Sequence, residues 1–590
     1  MSYPYGLIGN SRTAALIKTD GSLDWLCTPR FDSPSIFAKI LDKEGGSLGF
    51  DPKYNIKTHQ EYLPDTAILK TTIIQKQGTF EVLDFFPKKL TTKHKAPTYI
   101  LILRLICPIK KNPKIKLVYE PRPNYALAKS RTEIRRHKII TKEINKSKYY
   151  ILQSTLNIKK AISTFIPIKK QELIVFTTDP KLHIPLSYAN QMLKETKEYW
   201  QEYTRTCTLP KKYCNIVARS AITLKLLTYT PTGAVIAAPT TSLPETIGGP
   251  RNWDYRYCWL RDASFTIDAL GWLCKHVEAK RYLNFLDKLC MDRLQGLYGV
   301  RGETRLTEKE LGHLKGYKNS RPVRIGNAAY NQLQIDIPGE VIETLWRMHK
   351  LYGDQMKDHR TKTWKIVQRL IKIVEKNWEK PDSGIWEFRE KLQHFTHSKL
   401  MCWVAIDRAR ALAELLNKKT PMHWKPLGIK IKNDILKKGF NKKLNSFAIS
   451  YGSKYLDASL CLMTYYNFLP KTDKRIIGTI RAIEKYLLKQ KGIVQRYNAP
   501  DDFGKSTSGF LITSFWLIDA LFRIGKTKKA KMLFNQVIKL KNHLGLFSED
   551  IDPKTKQQLG NFPQAYTHIA VINTAMALTG MDKHKFFCKM

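Results

Sequence analysis

Two glutamates stand out because each lies in a short motif that combines apolar residues with a turn-forming glycine. Glu387 is in PDSGIWEFRE, between Trp386 and Phe388 and just after an Asp-Ser-Gly turn. Glu549 is in HLGLFSEDID, after an apolar segment and amid other acids. Apolar neighbours favour a protonated carboxyl group, and a polar, hydrated setting favours an ionised one. Cleavage of a glycosidic bond needs both: an acid for the leaving oxygen, and a base or nucleophile.

Taken alone, either glutamate is as well explained by a surface carboxylate or an ordinary ion pair. The loop RNWDYRYCWLRDA adds weight, because Arg261 and Asp262 are adjacent at a predicted helix start. Here Asp262 is expected to cap the first turn. The functional interpretation is an Arg/Asp pair that holds sugar hydroxyls beside an aromatic platform, and the alternative is an aromatic core plus a cap. The platform residues are Trp253, Tyr255, Tyr257 and Trp259.

Three further arginines, Arg321, Arg324 and Arg496, lie in predicted loops. A guanidinium group donates paired hydrogen bonds either to sugar oxygens or to carboxylates. The sequence leaves both roles open for these residues.

The chain from about residue 187 onward shows helical periodicity of apolar residues. Helices of similar length follow one another, so each pair buries its apolar stripe only against its neighbours, as in a closed ring of six hairpins. The chemistry-bearing loops lie between these helices and would meet at one mouth of such a ring. The predicted helices are 187–206, 211–230, 261–276, 278–292, 328–352, 361–378, 399–417, 424–438, 456–468, 473–489, 510–524, 527–541 and 563–580.

Residues 3–185 instead show short strand-like runs with Gly, Pro and Asn turns, which predict an antiparallel sandwich. The clearest hairpin signal is TAALIKTDGSLDWLC, in which two largely apolar runs flank Asp20-Gly21. The two regimes indicate a multidomain fold, with a β domain followed by an all-α domain.

Composition sets the class of protein. The chain has 590 residues, 43% of them hydrophobic, which indicates a globular protein. The ten scattered cysteines, without CxxC, predict reduced thiols, and the N-terminus lacks a signal-peptide pattern, so we expect a cytoplasmic protein. The net charge of +49 is spread over most predicted helices. It therefore indicates solvated surfaces, and we expect neither a nucleic-acid nor a membrane partner.

These motifs and their order along the chain resemble those of the glucoamylase-type glycoside hydrolases (family 15), in the prokaryotic branch that includes glucoamylases and some trehalases. The resemblance runs from LIGNSRTAALIKTDGSLDWLCTPRFDSPSIF to LFSEDIDPKTKQQLGNFPQAYTHIA, which is nearly the whole chain. It implies an N-terminal antiparallel β-sandwich, a helical linker and a C-terminal (α/α)6 barrel. With the two regimes above, it predicts these units at 1–186, 187–210 and 211–590.

The resemblance also implies roles for single residues. Glu387 in GIWEF matches the family's general acid, and Glu549 in LFSED matches its general base, in an inverting reaction. Arg261 and Asp262 in WLRD match residues that hold the hydroxyls of the terminal glucose. Further positions that fall where the family lines this pocket are Tyr255, Trp259, Arg324, Trp386 and Arg496.

The implied activity is release of β-glucose from the non-reducing ends of α-glucans or maltooligosaccharides, without a metal or organic cofactor. The alternative is an α,α-trehalase, which would use the same two glutamates; only acceptor-side loops separate the two. A non-catalytic carbohydrate-binding or regulatory protein would be expected to lack one of the glutamates. The sequence does not indicate the oligomeric state.

Overall fold

The computed structural model describes residues 2–88, 99–289 and 294–581. Within this part of the chain, strands form the N-terminal third and helices dominate from Leu186 onward. The two regimes expected from the sequence are therefore confirmed. The boundaries 1–186, 187–210 and 211–590 stay a prediction.

The N-terminal strands pair in antiparallel fashion into two main sheets. The first sheet has the order β1-β2-β3-β5-β11, with β4 beside β3, and the second has the order β12-β13-β14-β16-β9-β8-β7-β6. A short helix, α1, spans Ile158–Ser163. The strands are β1 Tyr5–Gly9, β2 Ala14–Lys18, β3 Leu23–Cys27, β4 Ser35–Phe37, β5 Leu48–Phe50, β6 Asn55–Tyr62, β7 Leu69–Gln75, β8 Gly78–Phe85, β9 Leu101–Lys111, β10 Lys114–Ile115, β11 Leu117–Tyr119, β12 Ser130–Ile134, β13 Lys138–Glu143, β14 Tyr149–Ser154, β15 Ile166–Pro167 and β16 Glu172–Thr177.

The two sheets share one core, as a sandwich requires. In β7, buried residues alternate with partly exposed ones, the pattern of a strand with one covered face. The ring of Phe37 from the first sheet lies 5.6 Å from that of Phe176 in the second. The hairpin at Asp20-Gly21 is confirmed, because β2 pairs with β3 across it and Gly21 has φ +82°.

A long helix, α2 (Leu186–Arg205), follows the sandwich. Its buried residues Ala189 and Met192 join a cluster with Phe85 and Leu103 of the second sheet. The helix is therefore packed against the sandwich before the chain enters the helical unit.

The helical unit is an (α/α)6 barrel. Its inner ring is closed by contacts of α4 with α6, α6 with α8, α8 with the 3-10 helix Ala458–Met463, that helix with α11, α11 with α13, and α13 with α4. Each inner helix has an outer partner, in the same order α5, α7, α9, α10, α12 and α3. The α-helices are α3 Cys214–Leu227, α4 Leu260–Trp272, α5 His276–Lys288, α6 Ile337–Tyr352, α7 Arg360–Asn377, α8 Thr396–Leu415, α9 Trp424–Lys438, α10 Lys474–Tyr486, α11 Leu511–Arg523, α12 Thr527–Val537 and α13 Ala565–Leu578.

Burial explains which helices take the inner positions. Helices α4, α11 and α13 are buried almost all round, whereas α7, α10 and α12 bury one stripe and expose a lysine-rich face. A helix that is apolar all round can only lie inside a fold. The excess positive charge therefore lies partly on the outer ring.

Two predicted helices need correction. The segment predicted as 456–468 forms only the 3-10 helix Ala458–Met463, which begins after the cap residue Asp457 and has backbone bonds between residues three apart, such as Leu460 to Asp457. The segment predicted as 328–352 splits into a 3-10 turn, Ala328–Asn331, and α6, which begins near Pro338. A proline suits the first turn of a helix and not its interior. The last residues of the predicted helix 278–292 lie outside the described residues.

Short two-residue strands lie in the loops of the barrel. They are Thr228–Tyr229, Ala234–Val235, Cys258–Trp259, Leu297–Tyr298, Lys309–Glu310, Arg324–Ile325, Phe440–Asn441, Ser446–Phe447, Gly509–Phe510, Asp550–Ile551 and Gln558–Leu559.

The first residues of the sandwich contact the last loop of the barrel. The Tyr3 hydroxyl donates a hydrogen bond to the backbone oxygen of Gly560 at 3.0 Å, and the Tyr3 backbone nitrogen donates to Gln558 at 3.2 Å. The Asn542 amide donates to the backbone oxygens of Tyr3 and Tyr5. The sandwich thus supports the loop that follows Glu549.

The cysteines correct one expectation. Cys274 is disulfide-bonded, so the prediction of reduced thiols throughout is wrong at this position, because separation along the sequence does not report proximity in space. Cys290 and Cys588 lie outside the described residues. The described free cysteines are Cys27, Cys107, Cys207, Cys214, Cys258, Cys402 and Cys461. Within the described ranges, none of the helices combines the length and the apolar character that a membrane-spanning segment requires.

Candidate active site

An open cavity with about 910 Å3 of empty space lies at the end of the barrel where the inner helices begin. The N-terminal ends of helices carry partial positive charge, which favours anionic groups there. The cavity brings together nine of the residues predicted from the sequence: Trp253, Tyr255, Trp259, Arg261, Asp262, Trp386, Glu387, Arg496 and Glu549.

Glu387 is held at the cavity by one of its two carboxyl oxygens. Its Oε1 accepts hydrogen bonds from Trp259 Nε1 at 2.7 Å, Gln334 Nε2 at 3.2 Å and Arg261 at 3.5 Å. The side chain is 22% exposed. These bonds leave Oε2 as the oxygen for a ligand in the cavity.

The backbone of Glu387 is in an unusual conformation. Its φ is +61°, in the left-handed region that non-glycine residues rarely occupy. Backbone hydrogen bonds from Glu387 to Gly384 and from Phe388 to Ser383 close the turn that holds it there. Strain of this kind is typical of functional sites, where the surrounding structure must compensate for it.

Glu549 is fully buried and accepts three hydrogen bonds. Its Oε1 accepts from the Tyr255 hydroxyl at 2.6 Å and from Arg496 at 2.9 Å, and its Oε2 accepts from the Asn561 backbone nitrogen at 3.2 Å. Gly560, with φ +69°, packs directly against this carboxyl group. We expected a hydrated environment for Glu549, but its carboxyl group is buried and accepts hydrogen bonds from protein groups.

Two aromatic rings connect the glutamates. Tyr255 bonds Glu549 and Trp259 bonds Glu387, and the two rings meet edge to face at 5.4 Å between centroids. Both carboxyl groups line the same cavity. An inverting glycosidase needs its two carboxyl groups roughly 6.5–9.5 Å apart, so that a water molecule fits beside the sugar. Two intervening rings are compatible with that requirement.

Arg496 neutralises acids and does not simply face the cavity. Its guanidinium bonds Glu245, Glu549 and Asp550. Burial and the neighbouring carboxylates raise the pKa of Glu549, while Arg496 and the Tyr255 hydroxyl oppose the rise. Burial likewise raises the pKa of Asp550 to about 7. A carboxylate whose pKa is raised is a stronger base, which favours proton transfer from water.

Arg261 and Asp262 lie in the first turn of α4. Arg261 donates to the Tyr566 hydroxyl at 3.0 Å and to Asp336 at 3.2 Å, so its guanidinium has a fixed orientation. Burial, reinforced by the charge of Glu387, raises the pKa of Asp262 to about 7. The expected cap is wrong: Trp259 occupies the N-cap position, and Asp262 is the third residue of the helix.

Arg324, one of the pocket positions implied by the resemblance, is not part of the described lining of the cavity, and neither is Tyr257 of the expected platform. Its guanidinium donates to the backbone oxygens of Pro250 and Asn252 at 2.7 and 3.2 Å and pairs with Glu308 and Glu310. The predicted substrate contact is therefore replaced by support of a loop. Arg321 is exposed and outside the lining as well.

Trp386 is oriented by an acid beneath the cavity. Its Nε1 donates to Asp457 at 3.0 Å, and its ring lies about 6 Å from those of Tyr497, Phe510 and Trp516. This packing holds the residue before Glu387 in place.

Sequence reasoning missed several residues of the site. Gln334, which bonds Glu387, and Asp336, which bonds Arg261, lie just before α6. Pro338 marks the start of α6, just as WLRD marks the start of α4. This proline could have indicated that the residues before α6 lie at the site. Tyr566 lies within the terminal motif FPQAYTHIA. Other missed lining residues are Glu245, Arg251, Arg389, Asp501, Asp502, Phe503, Phe510 and Gln564.

Two carboxyl groups that line one cavity are the arrangement with which glycoside hydrolases cleave a glycosidic bond, and they line one cavity here. The chain belongs to glycosyl hydrolases family 15, whose family model matches residues 211–576. A second model, described as trehalase-like N-terminal, matches residues 4–152.

The chain is similar over nearly its full length to two trehalases. It is 36% identical to that of Mycolicibacterium smegmatis (97% of this chain, 90% of the relative) and 35% identical to that of Thermoplasma volcanium (97% and 93%). Among solved structures, a bacterial glucoamylase in complex with acarbose matches with a TM-score of 0.71 at 13% identity, covering 98% of this chain and 94% of that one. At this identity the match shows the fold alone.

Proposed function

We propose that this chain is an inverting α,α-trehalase that hydrolyses trehalose to one β-glucose and one α-glucose. The observation that carries the proposal is similarity over nearly the full length, at 33–36% identity, to relatives that are trehalases. It favours trehalose over the α-glucan substrate that was our first expectation from the sequence. The site supports it with two carboxyl groups facing one cavity.

In the proposed reaction, Glu387 donates a proton from Oε2 to the oxygen between the two sugars. Trp259, Gln334 and Arg261 hold the other oxygen, Oε1, so the acid points at the bond to be cleaved. As that bond breaks, positive charge develops on the sugar ring that stays behind. The released glucose keeps its α configuration.

Glu549 acts from the opposite face as the base. It accepts a proton from a water molecule whose oxygen attacks the anomeric carbon, which gives β-glucose. The donors Tyr255 and Arg496 fix its orientation and stabilise the ionised form. Asp262 and Arg261, at the start of α4, hold hydroxyls of the retained glucose.

Glutamine variants test the two roles. Glu387→Gln and Glu549→Gln should each lower kcat on trehalose by roughly 10²–10⁴-fold, the usual contribution of a general acid or base. On α-glucosyl fluoride, whose leaving group needs no proton, Glu387→Gln should keep most of its activity and Glu549→Gln should not. Glu390→Gln, outside the described lining of the cavity, is the matched control.

The substrate and the stereochemistry need separate measurements. Glucose release from trehalose, maltose, isomaltose and soluble starch should be fastest with trehalose; faster release from maltose or starch would favour the α-glucan alternative. Proton NMR of the first product from α-glucosyl fluoride should show β-glucose. Initial α-glucose would rule out inversion.

A further inference from the structure

We infer that residues 497–504, called the strap below, form with Arg389 the binding site for the leaving glucose. The strap walls off that side of the cavity, so the site takes substrates with one sugar ring beyond the cleaved bond. This inference rests on the proposed function and names the residues that would give it its specificity. The strap contributes Tyr497, Asp501, Asp502 and Phe503 to the cavity lining, to which Arg389 also belongs.

One end of the strap is anchored to the loop before α4. Arg251 makes two hydrogen bonds to the Asp501 carboxylate, at 2.7 and 2.6 Å, and a third to the backbone oxygen of Gly504 at 2.9 Å. The Tyr497 hydroxyl also bonds Asp501. The Arg251–Asp501 pair is largely buried, with 10% and 5% of the side chains exposed. A two-point, desolvated pair of this kind holds the strap in one position.

The strap is also attached to the loop that carries Glu387. The Asp502 carboxylate accepts hydrogen bonds from the backbone nitrogens of Arg389 at 2.6 Å and Glu390 at 3.2 Å. A carboxylate has about four acceptor positions, so Asp502 keeps capacity for a ligand hydroxyl. Asp502 lies beside the loop that carries Glu387, the candidate acid for the leaving group. Its free acceptor positions are therefore on the side of the cavity where the leaving sugar would bind.

Arg389 is held in a similarly defined position. Two of its nitrogens donate to Glu308 at 3.0 and 2.8 Å, and its guanidinium lies 4.5 Å from the centre of the Trp253 ring. Of the five N–H groups of a guanidinium, these bonds use two. The remainder can donate to sugar hydroxyls.

Trp253 cannot serve as the sugar platform considered for it from the sequence. The guanidinium groups of Arg389 and Arg324 lie over its ring, at 4.5 and 4.7 Å from the centroid. The Phe503 ring meets it edge to face at 5.2 Å. Trp253 is thus part of the wall, and recognition of the leaving sugar falls to the polar groups of Arg389 and Asp502.

This arrangement matches the chemistry of trehalose. Both anomeric carbons of trehalose lie in the cleaved bond, so the leaving ring carries hydroxyls and no further sugar. In an α-glucan the leaving part of a longer chain continues from its own anomeric oxygen. A wall with hydrogen-bonding groups accommodates the single leaving ring of trehalose and obstructs the longer leaving chain of an α-glucan.

Three substrates test the inference in the full-length protein. Trehalose has a leaving sugar, α-glucosyl fluoride has none, and maltotriose has two rings beyond the cleaved bond. For Arg389→Ala we expect kcat/KM on trehalose to fall roughly 10- to 100-fold, the range for loss of charged hydrogen bonds. The activity of this variant on α-glucosyl fluoride should stay within about twofold of wild type, because this substrate has no leaving sugar to bind. The activity on maltotriose relative to trehalose should rise.

Two further variants control for structural damage. Asp502→Asn keeps one side-chain oxygen that can accept a hydrogen bond from the loop of Glu387, but it loses the negative charge. We expect this variant to lose activity on trehalose selectively, as Arg389→Ala does, but to a smaller extent. Glu390→Ala, a neighbouring carboxylate outside the described lining of the cavity, should leave the preference among the three substrates unchanged.

The outcomes separate the two proposals. If Arg389→Ala reduces activity on trehalose and α-glucosyl fluoride equally, the residue acts through Glu387 and the inference is overturned. It is equally overturned if activity on trehalose does not change. Wild-type protein that hydrolyses maltose and α-glucosyl fluoride but not trehalose would instead remove the proposed function.

Discussion

Gly560 offers a way to displace the candidate base without changing its chemistry. A Cβ atom on Gly560 would lie 2.4 Å from Glu549 Oε2 and 2.7 Å from Glu549 Cβ. Real Cβ atoms essentially never approach a heavy atom within 3.0 Å. In Gly560→Ala the distance between residue 560 and the Glu549 carboxyl group must therefore increase by about 0.6 Å, and we expect the carboxyl group, as the end of a side chain, to take up most of it.

The size of the effect follows from that displacement. Misplacement of a catalytic group by about 1 Å costs on the order of 10²-fold in rate. We therefore expect kcat/KM on trehalose to fall about 10- to 100-fold, or roughly 1.4–2.7 kcal/mol. The alanine also adopts a φ near +69°, which costs about 1–2 kcal/mol of stability.

A second glycine separates strain from displacement. Gly525 has φ +86°, and apart from its chain neighbours no described atom lies within 4 Å of a Cβ placed there. Gly525→Ala should lose a similar amount of stability in thermal unfolding but keep its kcat/KM. If Gly560→Ala matches Gly525→Ala in both measurements, the contact with Glu549 has no catalytic consequence and the reasoning fails.

Two other substitutions have outcomes that the site predicts. Tyr255→Phe should lower kcat/KM about 10- to 100-fold. It should also move the acidic limb of the pH profile of kcat/KM to higher pH, because the Tyr255 hydroxyl lowers the pKa of Glu549. An unchanged position of this limb would contradict the reasoning. Burial raises the pKa of Asp457 to about 6 from 3.8, so the folded state retains a proton and stability falls as pH rises between about 4 and 6. Asp457→Asn keeps the acceptor for Trp386 and Ser459, and urea unfolding should show a weaker pH dependence in that window; an unchanged slope would exclude Asp457 as its source.

Features that depend on neighbouring residues in the sequence were predictable. The hairpin at Asp20-Gly21, the helix beginning at WLRD and the two glutamate loops each carry a local signal, because turns and helix starts depend on a few consecutive residues. The helical period likewise indicated a ring of hairpins. Two inner elements are much shorter than their apolar patterns suggested: Ala458–Met463 against the predicted 456–468, and α6 against the predicted 328–352.

Features that depend on closure of the barrel were not predictable. The bonds from Tyr255 to Glu549 and from Trp259 to Glu387 join residues 294 and 128 positions apart. The left-handed backbone of Glu387 has no glycine or asparagine to signal it. Arg324 and Arg496 look alike in sequence, yet Arg324 pairs with Glu308 and Glu310 nearby in the chain and supports a loop. Arg496 neutralises three acids, of which Glu245 lies 251 positions away and Glu549 lies 53 positions away.

The contact of Tyr3 with the loop at Gly560 has a consequence for synthesis of the chain on the ribosome. The strand after Tyr3 emerges well before the residues that it supports, because Gln558 and Gly560 lie 555 and 557 positions further along the chain. Until then the sandwich displays an unoccupied docking edge, and a nascent chain lacks both the candidate base and its support. If Glu549 is the base, as proposed, a nascent chain that stops before it would be inert rather than partly active.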